Sequence, residues 1–205
     1  VGRVGWGVPA PGLSETGRRL VAEMNQAGVL SDLSQGGEQT SKHAAATSKR
    51  PVAYTHVAPF GMKDHPRNKS DDMLKRIAGT GGFVGVALYA PFLPKGDASD
   101  LDDCIDVLNY VIDLLGEDRV GLGTDFTQGY GPEFFEWLRR DKGIGAGVAG
   151  PITNARPANP KGLDGMSDYP NLAAAMAKRG WDQALIAKVM GANWLAFLDD
   201  AWAPA

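Results

Sequence analysis

Pro51-Val-Ala-Tyr-Thr-His56 is a short apolar run with a histidine at its tip. Read together with Gly82-Phe-Val-Gly-Val-Ala-Leu88 and Arg119-Val-Gly-Leu-Gly123, it decides the fold. Runs of this length, rich in valine and bounded by Gly or Pro, are buried strands. Segments with helical spacing separate them. Ser70 to Gly79 carries an N-cap residue, an acidic first turn and a terminal glycine. Leu101 to Leu115 sets Ile105, Leu108, Ile112 and Leu115 on one stripe. Upstream, Ser14 to Ala27 reads as a helix stopped at Gly28, Val29 to Leu33 as a first strand, and Gly36 to Ser48 as a second helix. Such alternation means parallel strands joined by helical crossovers, hence an α/β fold. Four strands make a small open sheet or half of an eight-stranded barrel. Val-rich strands that end in polar groups favour the barrel. Helices over Tyr169–Lys178, Trp181–Met190 and Asn193–Leu198 close the chain.

The composition is that of an ordinary globular domain: 205 residues, 43% hydrophobic, 22% charged, with a net charge of −3. One domain over residues 1–205 is expected. No basic stripe points to nucleic acid, and the mild acidity offers no pull toward anionic membranes. The single cysteine, Cys104, excludes an internal disulfide and reads as a small core residue on an apolar helix face. Residues 142–165, rich in Gly, Pro and Asn, are too long for a plain connector and read as a loop or lid. The opening Val1-Gly-Arg-Val-Gly-Trp6 has neither an initiator Met nor a signal-peptide pattern, which suggests that residues precede it.

Chemistry collects at the strand ends, where α/β enzymes keep their sites. His56 is either a satisfied rim histidine or a metal ligand through a neutral ring nitrogen. His65 precedes Pro66 and orders the loop; His43, in an alanine-rich helix, reads as solvated. Arg67, between Pro66 and Asn68, suits bidentate capture of a carboxylate or is a solvated loop arginine. Asp125 ends Val120-Gly-Leu-Gly-Thr-Asp125. Gly121 and Gly123 leave that strand end thin enough for a ligand to approach, and the aspartate could hold an ammonium, bind a metal, move a proton or cap the next turn. Asp32 in Ser31-Asp-Leu-Ser-Gln35 reads as an Asx turn or helix cap, and Gln35 is a poor metal ligand. Phe134, Phe135 and Trp137 suggest core or interface.

These phrases together resemble the membrane (renal-type) dipeptidase family, peptidase family M19. The resemblance runs through Gly12 to Ser34, Arg50 to His56, Asp64-His-Pro-Arg67-Asn68, Gly81 to Val86, Val120 to Phe126, Ser167 to Leu172 and Gly191-Ala-Asn193-Trp-Leu195. It implies a (β/α)8 barrel with a two-zinc site that hydrolyses dipeptides. By position, His56 matches a zinc ligand, Arg67 the residue that binds the substrate carboxylate, and Asp125 the acid that handles the substrate amine and the proton. There are two departures. Gln35 stands where the family's Asp-Leu-Ser-His supplies another zinc ligand, and the family's early His-x-Asp pair and bridging Glu have no counterpart in this sequence.

The expectation is therefore the C-terminal half of the barrel, with two open sheet edges and one open inner face. A missing N-terminal half or a homodimer would complete it. One or two zinc ions and a dipeptide-like substrate are expected. The alternatives are a divergent relative with one metal or none acting on another small substrate, and a non-catalytic interaction protein that pairs through Trp6, Phe134, Phe135 and Trp137. The family includes exported and cytosolic members; the cytoplasm is favoured and export stays open.

Overall fold

The computed structural model describes residues 12–126, 133 and 159–203. Helix α1 (Glu15–Gln26) leads to α2 (Glu38–Thr47), β1 (Ala53–Val57), α3 (Asp71–Gly79), β2 (Phe83–Val86), α4 (Leu101–Leu115) and β3 (Val120–Leu122). Helices α5 (Tyr169–Lys178), α6 (Gln183–Ala187) and α7 (Asn193–Ala201) follow. The three strands form one parallel sheet in the order β1-β2-β3, each successive pair separated by a helix. This is the expected α/β alternation. Helices α4 and α1 are bounded where local chemistry says they should be. Asp100 accepts from the Asp102 and Asp103 N–H groups and Asp103 reciprocates, a capping box that starts α4. Gly28, at φ 67°, follows the last turn of α1, whose Ser14 hydroxyl accepts the Gly17 N–H.

The fourth expected strand, Val29–Leu33, is reduced to one bridge between Asp32 and Ala53. Leu33 N–H donates to Ala53 O and Ala53 N–H to Ser31 O. The ladder stops there because the Asp32 carboxylate takes the next two N–H groups itself, those of Ser34 and Thr55. Ser70 occupies the N-cap of α3 as expected, yet its hydroxyl makes no capping bond. The single helix expected over Trp181–Met190 is broken into α6 and a wide turn, with a kink at Gly191 before α7. Most of the 142–165 stretch expected as a loop or lid lies outside the described residues. Residues 159–165 form an irregular stretch whose Leu163 is fully buried.

Strand alternation divides the core. Val84, Val86, Val120 and Leu122 cluster with Met73, Leu74 and Ile77 of α3 and Ile105, Leu108 and Val111 of α4. Cys104 is buried in the same cluster, as expected, and burial pushes its thiol up to about 12. Ala53 and Phe83 pack with Trp194, Phe197 and Ala201 of α7; the Phe83 ring lies 4.3 Å from Trp194 and 5.2 Å from Phe197. The β3 edge is covered too. Gly123 N–H donates to Val86 O, so the carbonyls of Val120 and Leu122 face the other way. Asn193 Nδ2 donates to Val120 O at 2.8 Å and to Glu117 O at 2.6 Å, and Trp194 Nε1 donates to Leu122 O at 2.8 Å. The expectation of a bare face and two bare edges is corrected here: α7 covers one edge and part of the face.

Candidate active site at the strand ends

The site grows from Asp32. Its Oδ1 accepts from the Ser34 N–H at 3.0 Å, the Ser34 hydroxyl at 2.6 Å and the Thr55 N–H at 3.2 Å. This is the expected Asx turn, extended to the neighbouring strand. Burial raises the carboxyl pKa, but these donors outweigh it and hold the group below its ordinary value. The buried Ser34 hydroxyl also accepts the His56 N–H at 3.0 Å.

His56 sits at an irregularity of β1, whose pairing with β2 slips between Tyr54 and Val57. Its Nε2 lies 3.0 Å from Gln35 Nε2, its Nδ1 lies 2.7 Å from Thr55 Oγ1 and 3.8 Å from Asp32 Oδ2. One proton direction satisfies every contact. The Gln35 amide donates to Nε2, Nδ1–H donates to Thr55, Thr55 donates to Ser34 at 3.3 Å, and Ser34 donates to Asp32. The structure therefore brings together three residues flagged by the sequence, Asp32, Gln35 and His56. It adds Ser34 and Thr55, whose only sequence signal is their place beside Asp32 and His56.

The loop after β1 supplies the positive side. Asn68 Nδ2 donates to the Lys63 and Phe92 carbonyls, and Arg67 N–H donates to His65 Nδ1. His65 orders the loop as expected and lies 4.9 Å from the Phe92 ring. Burial lowers the His65 pKa, with Lys63 and Arg67 acting in the same direction. Arg67 is not a solvated loop arginine. It is 5% exposed, its guanidinium stands 5.8 Å from the Phe92 ring centre, and its Nε has no partner among the described residues. Burial lowers its pKa, and the charges of Asp125 and Asp32 act against that. Asp125 is exposed and holds φ at 60°, the left-handed region that a non-glycine residue seldom adopts outside special sites.

Two expectations are corrected. The space beside Gly121 and Gly123 is not left for a ligand. A Cβ on Gly121 would meet Phe83 and Trp194, and one on Gly123 would run into the Thr55 carbonyl and the Gly85 backbone. These glycines permit close packing inside the sheet. His43 is not simply solvated: it is half-buried and its Nδ1 accepts the Leu13 N–H at 3.2 Å. Trp6, Phe134, Phe135 and Trp137 lie outside the described residues.

Among the described residues, no three His, Cys, Asp or Glu side chains are placed to hold a metal ion. His56 could give one nitrogen, but its Nε2 faces the Gln35 amide, a donor N–H where a metal needs a lone pair. By themselves these residues do not make a zinc site.

The family model described as membrane dipeptidase (peptidase family M19) matches residues 7–139 and 144–202. Dipeptidase aclJ of Aspergillus oryzae is 32% identical over 191 residues, 92% of this chain and 39% of that protein. An uncharacterized dipeptidase of Schizosaccharomyces pombe is 33% identical over 175 residues, 84% of this chain and 36% of its own length. Among solved structures, an amidohydrolase from Pseudomonas aeruginosa superposes with a TM-score of 0.89 at 47% identity, covering 100% of this chain and 62% of that one. A metallo peptidase from Rhodobacter sphaeroides, liganded with a phosphinate mimic of the dipeptide L-Ala-D-Ala, gives 0.75 at 30% identity, with 93% and 48% covered. The chain thus spans 36% to 62% of these relatives' own lengths. With the family model matching nearly its whole length, it belongs to the membrane dipeptidase family, peptidase family M19.

Proposed function

We propose that the protein is a dipeptidase-type hydrolase acting on dipeptides or related small amides, and that this sheet is the C-terminal half of a (β/α)8 barrel. The observation that carries the reading is Arg67. A guanidinium buried to this depth, with an Nε that has no partner among the described residues, is a seat for an anionic group. In a dipeptide that group is the C-terminal carboxylate. Asp125, on its left-handed turn, takes the substrate amine and the proton. Zinc is the proposed cofactor, as one or two ions; when bound it supplies a Lewis acid and an activated water. His56 is the described residue that would serve as a ligand, with the remaining donors coming from outside the described residues. Completion by an N-terminal half or by a homodimer is part of this reading, and the cytoplasm is the proposed location.

The test is a zinc assay and a dipeptide panel on the full-length protein. Hydrolysis is expected, and Arg67→Ala should raise KM about 10–100-fold, the worth of a charge-assisted hydrogen bond. A well-folded, metal-free and inert protein overturns the proposal. The Gln35–His56 bond favours a second reading, a relative with one metal acting on another small substrate. Gln35→His then raises the zinc stoichiometry, whereas no gain argues for a rebuilt pocket.

A further inference from the structure

We infer that Lys69 is a positioning residue of this site: its ammonium clamps the Gly36 carbonyl and so holds the Asp32–Gly37 turn, with Gln35 on it, against His56. The geometry is direct. Lys69 Nζ donates to Gly36 O at 2.6 Å and lies over the Tyr54 ring, 5.4 Å from its centre. The side chain projects from a fixed base. Lys69 N–H donates to Ala58 O, and Phe60 N–H donates to Lys69 O. The clamp therefore joins two loops of the site, one bearing Arg67 and the other bearing Gln35.

Stability does not account for this lysine. It is 8% exposed, and burying an ammonium against one carbonyl costs free energy that an apolar end on the same stem would not. Burial brings its pKa down to about 8. Arg67 pushes the same way, and Asp32 and Glu38 oppose. The Tyr54 phenol facing it is itself pushed up to about 12, so it stays neutral through this range. The sign follows. The folded pKa lies below the unfolded one, so the penalty is complete below about pH 8 and is relieved as pH rises toward the unfolded value. What this buried ammonium does in the structure is tie the two site loops together.

The experiment uses the full-length protein and Lys69→Met, which keeps an unbranched stem. The side-chain amide resonance of Gln35 is followed by NMR from pH 6 to 10, with Tm measured alongside. In the wild type the resonance should move in a step near pH 8, as the clamp loses its charge. In the variant it should be displaced at pH 7 and lack that step, with Tm unchanged or higher. The catalytic arm rests on the dipeptidase-type reading: kcat/KM for a dipeptide should fall roughly 10–100-fold in the variant. A Gln35 resonance unchanged by Lys69→Met, or a lowered Tm with the wild-type step retained, overturns the inference. Should the wild type cleave no dipeptide, the functional reading fails while the Gln35 resonance still decides the role of Lys69.

Discussion

Ser34 shows how much one small side chain can organise. Its hydroxyl donates to Asp32, accepts from the His56 backbone and lies beside Thr55, all without solvent exposure. Removing it takes the partner from the half-buried His56 N–H, a cost of about 1–3 kcal/mol. Ser34→Ala is therefore expected to lower stability by that amount in urea unfolding at pH 7. The acid limb should shift as well. Asp32 is held below its unfolded pKa, so its contribution is present above that value and lost as pH falls through the folded one. Without Ser34 the folded value rises, and acid unfolding should begin at higher pH. At this scale the sequence was legible where a reactive residue type sits at the tip of an apolar run, as with His56 and Asp125. It was silent on Lys69, because a lysine between Asn68 and Ser70 looks like any loop lysine until Gly36 is seen beneath its ammonium.

Among the elements, α7 contributes what its pattern alone does not disclose. Its apolar stripe announces a buried face, yet nothing in the stripe says that the face covers a sheet rather than a helix. Phe197 is 3% exposed and stacks on Phe83 at 5.2 Å. Phe197→Ala should cost about 3–5 kcal/mol, measured by denaturant midpoint, because the rigid sheet beneath cannot collapse into the space. A loss below 1 kcal/mol would mean that α7 is only loosely seated. The strands were legible from their valines and glycines, but their lengths were not. The Asx turn at Asp32 was readable locally, but its reach to the Thr55 N–H, 23 residues away, is carried by no local pattern.

Over the whole molecule, the described residues build a three-stranded parallel sheet, which makes edges the central problem. On the β3 side the strand's carbonyls are taken by an amide and an indole instead of another strand. Replacing both donors, Asn193→Ala with Trp194→Phe, should leave the sheet formed but sticky. Light scattering at rising protein concentration should show association that the wild type lacks, and an unchanged scattering profile would show that the edge is protected otherwise. The α/β class and family were readable across the chain, since they rest on phrases spread from Gly12 to Leu195. How α7 comes to cover the β3 edge was not, because it depends on contacts between distant parts of the chain.

The donors that cover β3 arrive about 70 residues after the strand they protect. During synthesis at roughly 5–20 residues per second, that gap is several seconds in which the strand exists and its cover does not. The nascent chain thus has a defined window of vulnerability that ends with the emergence of Asn193 and Trp194. Slow codons or truncation within that interval should matter more to the yield of soluble protein than the same events upstream of β3.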